Sequence, residues 1–336
     1  YGEKLATPDV SIADLIGEID PIKVAEGRYL ADEEAIHYGL VPRTNRGIFA
    51  INELPDLMEK IQVGLFNLME ERDVQIKGFK VRLPLDVVIV ASANPEDYTS
   101  RGRIITPLKD RFDVQIRTHY PTNVETEIVI LDQEVPTTER GGRPVRVPDF
   151  VKAIVAQLTF EARQSSEVNQ SSGVSVRVTL NNYETVIANA ERRAVRLGEN
   201  EIVPRISDLH AVSASMMGKL ELEYTGDDRA TEAPLERLMN RAILAVFDRS
   251  IAIDRLGKVS EYFANGWGVE VSDRMRAEEY LEGIRAIPGL REAIDDLGSF
   301  ESPALMAAAA EFVFEGLHLH QKLNKDIEGG RTTYRS

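Results

Sequence analysis

The sequence of 336 residues contains no cysteine, so it cannot form a disulfide or offer a thiolate for zinc binding or nucleophilic catalysis. No apolar run approaches the roughly 20 residues that a membrane-spanning helix needs. Lysine and arginine together number 40 against 55 aspartates and glutamates, and the net charge of −15 argues against a general nucleic-acid-binding surface. These absences predict a cytoplasmic protein with neither a membrane nor a nucleic acid as its partner.

Two short apolar runs are each followed at once by polar side chains. Residues 48–51 (IFAI) precede Asn52 and Glu53, and residues 87–91 (VVIVA) precede a polar segment that contains Asn94. Short runs without alternation are typical of strands that helices cover on both faces of a parallel sheet. Ligands of such sheets bind beyond the carboxyl ends of the strands. The sequence therefore predicts one site, formed by the polar residues after these two strands.

Four segments along the chain match a known order of motifs. They are Arg46-Gly47 leading into the strand that ends at Asn52-Glu53, ASANPEDY at 91–98, PLKDRFD at 107–113 and SVRVTL at 175–180. In this order they resemble the Walker B, sensor 1, arginine-finger and sensor 2 segments of the AAA+ ATPases, in the branch of the magnesium-chelatase I-subunit and MoxR-like proteins. The resemblance extends over roughly residues 1–225. It implies a protein that binds and hydrolyses ATP.

The resemblance implies a role for each of five residues. Glu53 corresponds to the carboxylate that accepts a hydrogen bond from the water attacking the γ-phosphate of ATP. Asn94 would orient the same water, and Arg111 would act as an arginine finger on the γ-phosphate of a neighbouring subunit. Arg177 would bind the nucleotide from the lid. Asn52 stands where the family usually has the aspartate that holds the water shell of Mg²⁺, so ATP and Mg²⁺ are the implied cofactors.

Asn52 leaves the activity open. Asparagine keeps an acceptor oxygen but lacks the negative charge of the usual aspartate beside a hard cation. One interpretation is hydrolysis in which Asn52 orients a magnesium-bound water; the other is a non-hydrolysing scaffold that binds nucleotide to hold a shape. The same residue types also have purely structural uses: Glu53 as an acid at a helix N-terminus, Asn94 in an Asx turn, and Arg111 or Arg177 in surface ion pairs.

The predicted fold class is α/β, a partial doubly wound AAA+ nucleotide-binding core followed by an α-helical lid and an α-helical C-terminal region. We expect the core at residues 1–121. A linker and the lid, with sensor 2, should follow at 122–225. Residues 226–336 should form a helical domain whose role the sequence does not assign.

Local patterns predict several elements inside these domains. An apolar stripe predicts a helix that opens near Pro55, and alternation on both sides of Lys77-Gly78 predicts a β-hairpin. The alternating segment 113–121 predicts the last strand of the sheet. In the lid, helices are expected over 149–164 and 176–197.

The phosphate-binding motif of the family is absent. No G-x-x-x-x-G-K-[S/T] occurs in the sequence, although this loop supplies the backbone amides and the lysine that cradle the phosphates. We therefore expect the 336 residues to be the part of a longer protein that follows this loop. On their own they should bind ATP weakly or not at all.

The resemblance also implies an assembly. We expect a homo-oligomer, a hexameric ring, that remodels a partner protein, and a protein with a von Willebrand factor A domain is the implied partner class. A transcription-activator-type AAA+ protein is an alternative because such proteins share the hairpin plan. A DNA-translocating helicase ranks third because the acidic balance disfavours it.

Overall fold

The structure is a computed structural model that describes residues 1–26, 35–72, 74–76, 79–81, 84–94, 102–136, 138–169, 173–217, 219–220, 232–328 and 331–336. The chain forms two compact units, Tyr1–Thr118 and His119–Ser336. The division falls three residues before the boundary that we expected after residue 121. The second expected boundary, after residue 225, lies outside the described residues.

The strands of the first unit are β1 (Gly2–Leu5), β2 (Gly17–Ile19), β3 (Ile36–Tyr38), β4 (Ile48–Asn52), β5 (Val74–Ile76), β6 (Phe79–Val81) and β7 (Val88–Ala91). Its helices are α1 (Ile12–Leu15), α2 (Pro21–Ala25), α3 (Leu40–Arg43), α4 (Glu59–Glu71) and α5 (Thr106–Lys109), with a 3₁₀ turn at Leu54–Asp56. Three of the strands form a parallel sheet in the order β1-β4-β7. Parallel pairing brings the carboxyl ends of the three sheet strands to one edge, as the sequence predicts for the site.

Among the described residues, helices cover only one face of this sheet. Phe49 and Ile51 are buried in a core with Ile61, Leu65 and Leu68, which form the apolar stripe of α4. The opposite face carries side chains that are 48–60% exposed: Leu5, Ile48, Val88 and Val90. The expectation that both faces are covered is therefore wrong for the described chain, because an apolar run shows only that a face is apolar and not what packs on it.

Two further predictions for the first unit have different outcomes. The hairpin is confirmed by the antiparallel pairing of β5 with β6, although the tip at Lys77-Gly78 lies outside the described residues. The predicted last strand over 113–121 is wrong, since this segment takes no strand conformation. Val114 and Ile116 are 73% and 85% exposed, so the alternation has no neighbouring strand to pair with in the described chain.

The second unit is mainly helical and has one continuous apolar core. Its helices are α6 (Val124–Glu134), α7 (Asp149–Gln164), α8 (Val176–Leu197), α9 (Val212–Met217), α10 (Glu232–Ser250), α11 (Gly257–Ala264), α12 (Ala277–Ile284), α13 (Leu290–Leu297) and α14 (Pro303–Leu319), with 3₁₀ turns at Ile206–Ala211 and Ile253–Leu256. The core runs from Leu131 on α6 to Tyr334 near the end of the chain. The α/β core and the helical C-terminal region are thus both present, as the predicted fold class requires.

The second unit also contains short strands that the sequence analysis did not predict. They are β8 (Glu139–Arg140), β9 (Arg143–Pro144), β10 (Gly268–Ser272), β11 (Asn324–Glu328) and β12 (Arg331–Arg335). The last three form an antiparallel sheet in the order β10-β12-β11. None of the helices in the described part of the chain combines the length and the apolarity that a membrane span requires.

Candidate functional site

The turn after β4 holds Glu53 in an unusual backbone conformation. Its φ and ψ of 56° and 47° lie in the left-handed region, which costs a residue with a Cβ about 1–3 kcal/mol unless its surroundings fix it. The Glu53 N–H donates to Ser92 Oγ at 3.2 Å, and the Leu54 N–H donates to the Ser92 carbonyl at 2.9 Å. Ser92, the first residue after β7, therefore fixes the bend that carries Glu53.

Asn52 and Ser92 are in contact at this edge of the sheet. The Ser92 hydroxyl donates to Asn52 Oδ1 over 3.4 Å, and the Asn52 carbonyl accepts the Ala6 N–H at 2.8 Å. The Asn52 side chain is exposed and that of Glu53 is half-buried, so both offer oxygen atoms to solvent. The structure thus brings together the two strand ends that the sequence pairs, with Asn94 two residues beyond Ser92 and exposed.

Ser92 has no role among the sequence-based predictions. The signal available for it was its position, since it is the first polar residue after the second apolar run. The hydroxyl and the backbone carbonyl of Ser92 both contact the Asn52–Leu54 turn. Ser92 therefore holds the turn that carries the candidate carboxylate.

Arg111 lies just beyond α5, on the surface of α4. Its N–H donates to the carbonyl of Leu108, which is fully buried and anchors α5. Its guanidinium forms an ion pair with Glu70 and lies 5.6 Å from the centroid of the Phe66 ring. The Arg111 side chain is still 44% exposed, so it remains accessible to a second molecule.

Gln62 is a second residue that sequence analysis missed. It lies on α4, only 1% exposed, and its amide bonds the backbone of residues 103 and 105, which lead into α5. The available signal was an amide next to Ile61 and three residues before Leu65, inside the apolar stripe of α4. A polar residue at such a position has to be satisfied by internal partners.

Arg177 lies in the second unit, in the first turn of α8. Ser175 caps this helix and accepts the Arg177 N–H at 3.0 Å, and the Arg177 side chain is exposed. Arg163 of α7 fixes the start of α8, because its Nε donates to the Val174 carbonyl at 2.8 Å. A guanidinium presented from a capped helix N-terminus suits an anionic ligand.

A buried ion pair supports that helix start. Arg163 donates through Nη1 and Nη2 to both carboxylate oxygens of Glu127, at 2.7 and 3.1 Å. The Thr179 hydroxyl of α8 donates to the same carboxylate, and it shares a 2.7 Å hydrogen bond with the Thr159 hydroxyl. Because Glu127 is fully buried and its hydrogen bonds to Arg163 and Thr179 are charge-assisted, helices α6, α7 and α8 are held together at the end that carries Arg177.

A second buried charge cluster lies deeper in the helical unit. It joins α8, the following loop, the 3₁₀ turn at Ile206–Ala211 and α14 through Arg193, Glu199, Arg205, Asp208 and Glu311. Burial raises the pKa of the Glu311 carboxyl. Arg205 and the Ser207 N–H lower this pKa, but they offset only part of the effect of burial. Burial likewise raises the pKa of the Tyr280 hydroxyl well above its ordinary value. These groups tie the unit together and offer no exposed chemistry.

Comparison with known proteins gives sequence relatives over parts of the chain. No protein-family model matches. The magnesium-chelatase 38 kDa subunit of Cereibacter sphaeroides is 33% identical over 101 residues, which make up 30% of this chain and 29% of that protein. The chaperone MoxR1 of Mycobacterium tuberculosis is 24% identical over 264 residues, 71% of this chain and 65% of that protein. The chain thus spans less than two thirds of either relative.

The fold was also compared with solved structures. A cryo-EM-based structure of the complex between subunits BchI and BchD of magnesium chelatase covers 70% of this chain and 72% of its own, with 20% identity and a TM-score of 0.31. In sequence the chain is thus similar to magnesium-chelatase subunits and MoxR proteins, the branch of the AAA+ ATPases that its motifs resemble.

Proposed function

We propose that the protein binds ATP with Mg²⁺ and hydrolyses it at the interfaces of a homo-oligomeric ring. The observation that carries this proposal is the joined edge of β4 and β7, where Ser92 fixes the turn that presents Asn52 and Glu53. A carboxylate held on a strained turn at the carboxyl edge of a parallel sheet suits the activation of a water molecule.

In this proposal the residues divide the work of phosphoryl transfer. Glu53 accepts a hydrogen bond from the attacking water and draws its proton, while Asn94 orients the same water from the neighbouring strand. For Arg177 of the second unit, a role in binding nucleotide phosphate is proposed from the family resemblance. Arg111, whose half-exposed side chain packs against α4, supplies a permanent positive charge to the γ-phosphate held by an adjacent subunit.

Asn52 fits Mg²⁺ as an indirect ligand. Its amide oxygen already accepts a weak hydrogen bond from Ser92, but the side chain is exposed, so a magnesium-bound water can reach its other lone pair. Mg²⁺ usually keeps several waters and takes few ligands from the protein, which suits this arrangement. The ion would neutralise charge on the phosphates when bound.

The first test is the replacement of Glu53. On the protein expressed from its complete gene, Glu53→Gln should keep ATP affinity within about twofold and reduce turnover by at least about 100-fold, because only water activation is removed. Glu59→Gln, at an exposed acid at the start of α4, is the matched control and should hydrolyse ATP at the parental rate. Parental turnover by Glu53→Gln would reject Glu53 as the activating carboxylate.

The second candidate function is a non-hydrolysing scaffold, and Asn52 is the observation that favours it. Asn52→Asp separates the two, because it restores the charge that the family usually places beside magnesium. A rise in magnesium-dependent turnover would support a working ATPase that Asn52 slows. If both forms bind ATP and neither hydrolyses it, the scaffold becomes the better account.

The partner and the assembly are proposed from family resemblance. A hexameric ring would remodel a partner protein, and a von Willebrand factor A-domain protein is the proposed class. Light scattering with and without Mg-ATP tests the ring directly: a sixfold mass should form with nucleotide, and a monomer under all conditions would contradict the assembly.

A further inference from the structure

Gln62 makes three hydrogen bonds to backbone groups from a fully enclosed position. Its Nε2 donates to the carbonyls of Leu57, at 2.9 Å, and Arg103, at 3.1 Å. Its Oε1 accepts the N–H of Ile105 at 2.9 Å. Two of these bonds cross from α4 to residues 102–105, a segment that we call the strap.

The strap is clamped at its other end by close packing. A Cβ at residue 102 would collide with the carbonyl oxygen of Pro55, which is two residues from Glu53. Only glycine lets the strap approach this carbonyl so closely. The strap therefore lies between the turn that carries Glu53 and the buried amide of Gln62.

The strap leads directly to Arg111. Ile105 is the N-cap of α5 and has no side-chain cap of its own, so Gln62 fixes the residue that starts this helix. The Lys109 N–H donates to the Ile105 carbonyl, and the Arg111 N–H donates to the carbonyl of Leu108. The backbone position of Arg111 thus follows from that of Ile105 through one short helix.

The same face of α4 also contacts the Arg111 side chain. Gln62, Phe66 and Glu70 are spaced four residues apart, which places them along one side of the helix. Gln62 bonds the strap, while Phe66 and Glu70 contact the guanidinium. The backbone and the guanidinium of Arg111 are therefore both held by residues along one side of α4.

We propose that Gln62 is a positioning residue for Arg111, holding it where a neighbouring subunit can receive its guanidinium. The inference rests on the proposed function, in which Arg111 acts across a subunit interface. Gln62 does not contact the nucleotide in this account. It acts through the strap and α5, so its loss should damage the finger and leave the water-activating turn intact.

The direct test replaces the amide by an apolar side chain of similar length. Gln62→Met removes all three hydrogen bonds, whereas Asn67→Leu makes a comparable change on the exposed side of α4 and serves as control. We expect Gln62→Met to lower kcat by about 100-fold at little changed ATP affinity, since a displacement of about 1 Å in a positioned group costs that much. The Ile105 amide should exchange faster with solvent.

Subunit mixing identifies which side of the interface is damaged. Gln62→Met should regain activity in mixed rings with Glu53→Gln, because those partners supply an intact finger to its intact Glu53. It should regain none with Arg111→Ala, because neither protein then supplies a finger. Two results would overturn the inference. One is the reverse pattern of recovery in the mixed rings. The other is an unchanged kcat in a folded Gln62→Met protein whose Ile105 amide exchanges faster.

Two further arms keep the test decisive. If Gln62→Met does not fold, Gly102→Ala serves in its place, because it displaces the strap from the other side. It should give the same pattern of recovery in mixed rings. Any other pattern would contradict the role of the strap in positioning Arg111. Mixing Glu53→Gln with Arg111→Ala tests the proposed function alone. Failure of that mixture rejects the finger in trans, whereas its success with the wrong Gln62 pattern rejects only the positioning role.

Discussion

At the level of single residues, the candidate site depends on side chains that hold backbone groups in place. Ser92 holds the left-handed turn of Glu53, and Gln62 holds the strap before Arg111. Sequence analysis found Glu53 and Arg111 because motifs mark chemical groups at fixed spacing. It missed the two supports because their partners are 39 or more residues away in the chain, at distances that no local pattern encodes.

The buried carboxyl of Glu311 should make the stability of the second unit depend on pH. Burial raises the pKa of Glu311 in the folded state above its unfolded value of about 4.3. When the pH is below this unfolded value, the contribution of Glu311 to the free energy of unfolding is fully present. That contribution is lost as the pH rises through the folded-state pKa. We expect the free energy of unfolding to decline over this window, and Glu311→Gln to remove that part of the decline. Urea unfolding followed by Trp267, the single tryptophan and a residue of the second unit, measures it.

The control for this measurement is Glu301→Gln. Glu301 is exposed just before α14, so its replacement should keep the decline of the wild-type protein. Arg193, Arg205 and Asp208 surround Glu311 and are unchanged in both variants. If Glu311→Gln and the wild type decline in parallel, the carboxyl does not bind its extra proton in the folded state.

At the level of elements, the helices of the lid region follow closely from the sequence. The predicted ranges 149–164 and 176–197 are those observed, because local signals set both ends. Pro148 precedes α7, Ser175 caps α8, and Gly198 ends α8 in the left-handed conformation. The segment 113–121 failed as a strand because a strand needs a partner from elsewhere in the chain, which alternation alone does not supply.

The Glu127–Arg163 pair tests how these helices are joined. Glu127→Ala should destabilise the second unit by about 3–5 kcal/mol, because it leaves the Arg163 guanidinium buried without a counter-charge. Lys152→Ala is the control, since it breaks an exposed α6–α7 pair with Asp132 and should cost no more than about 1 kcal/mol. Urea unfolding followed by Trp267 compares them. Equal losses would mean that the buried pair does not hold the start of α8.

At the level of the whole molecule, the fold class was predictable and the packing of its sheet was not. Polar tips on two apolar runs predicted a parallel sheet and its ligand edge, and the β1-β4-β7 sheet has that arrangement. The uncovered side chains Leu5, Val88 and Val90 were unpredicted, since hydropathy does not reveal which segment packs on a face. In the C-terminal sheet, β10 was missed because it pairs with β12 across α12, α13 and α14.

The central claim is that ATP is hydrolysed at an interface completed by Glu53 from one subunit and Arg111 from the next. ATP turnover by an equimolar mixture of Glu53→Gln and Arg111→Ala measures it most directly. Each protein alone should be inactive, and in rings that exchange subunits about one interface in four should pair an intact Glu53 with an intact Arg111. We therefore predict recovery of about a quarter of parental turnover. No recovery, in mixed rings shown to have exchanged subunits, would contradict the account.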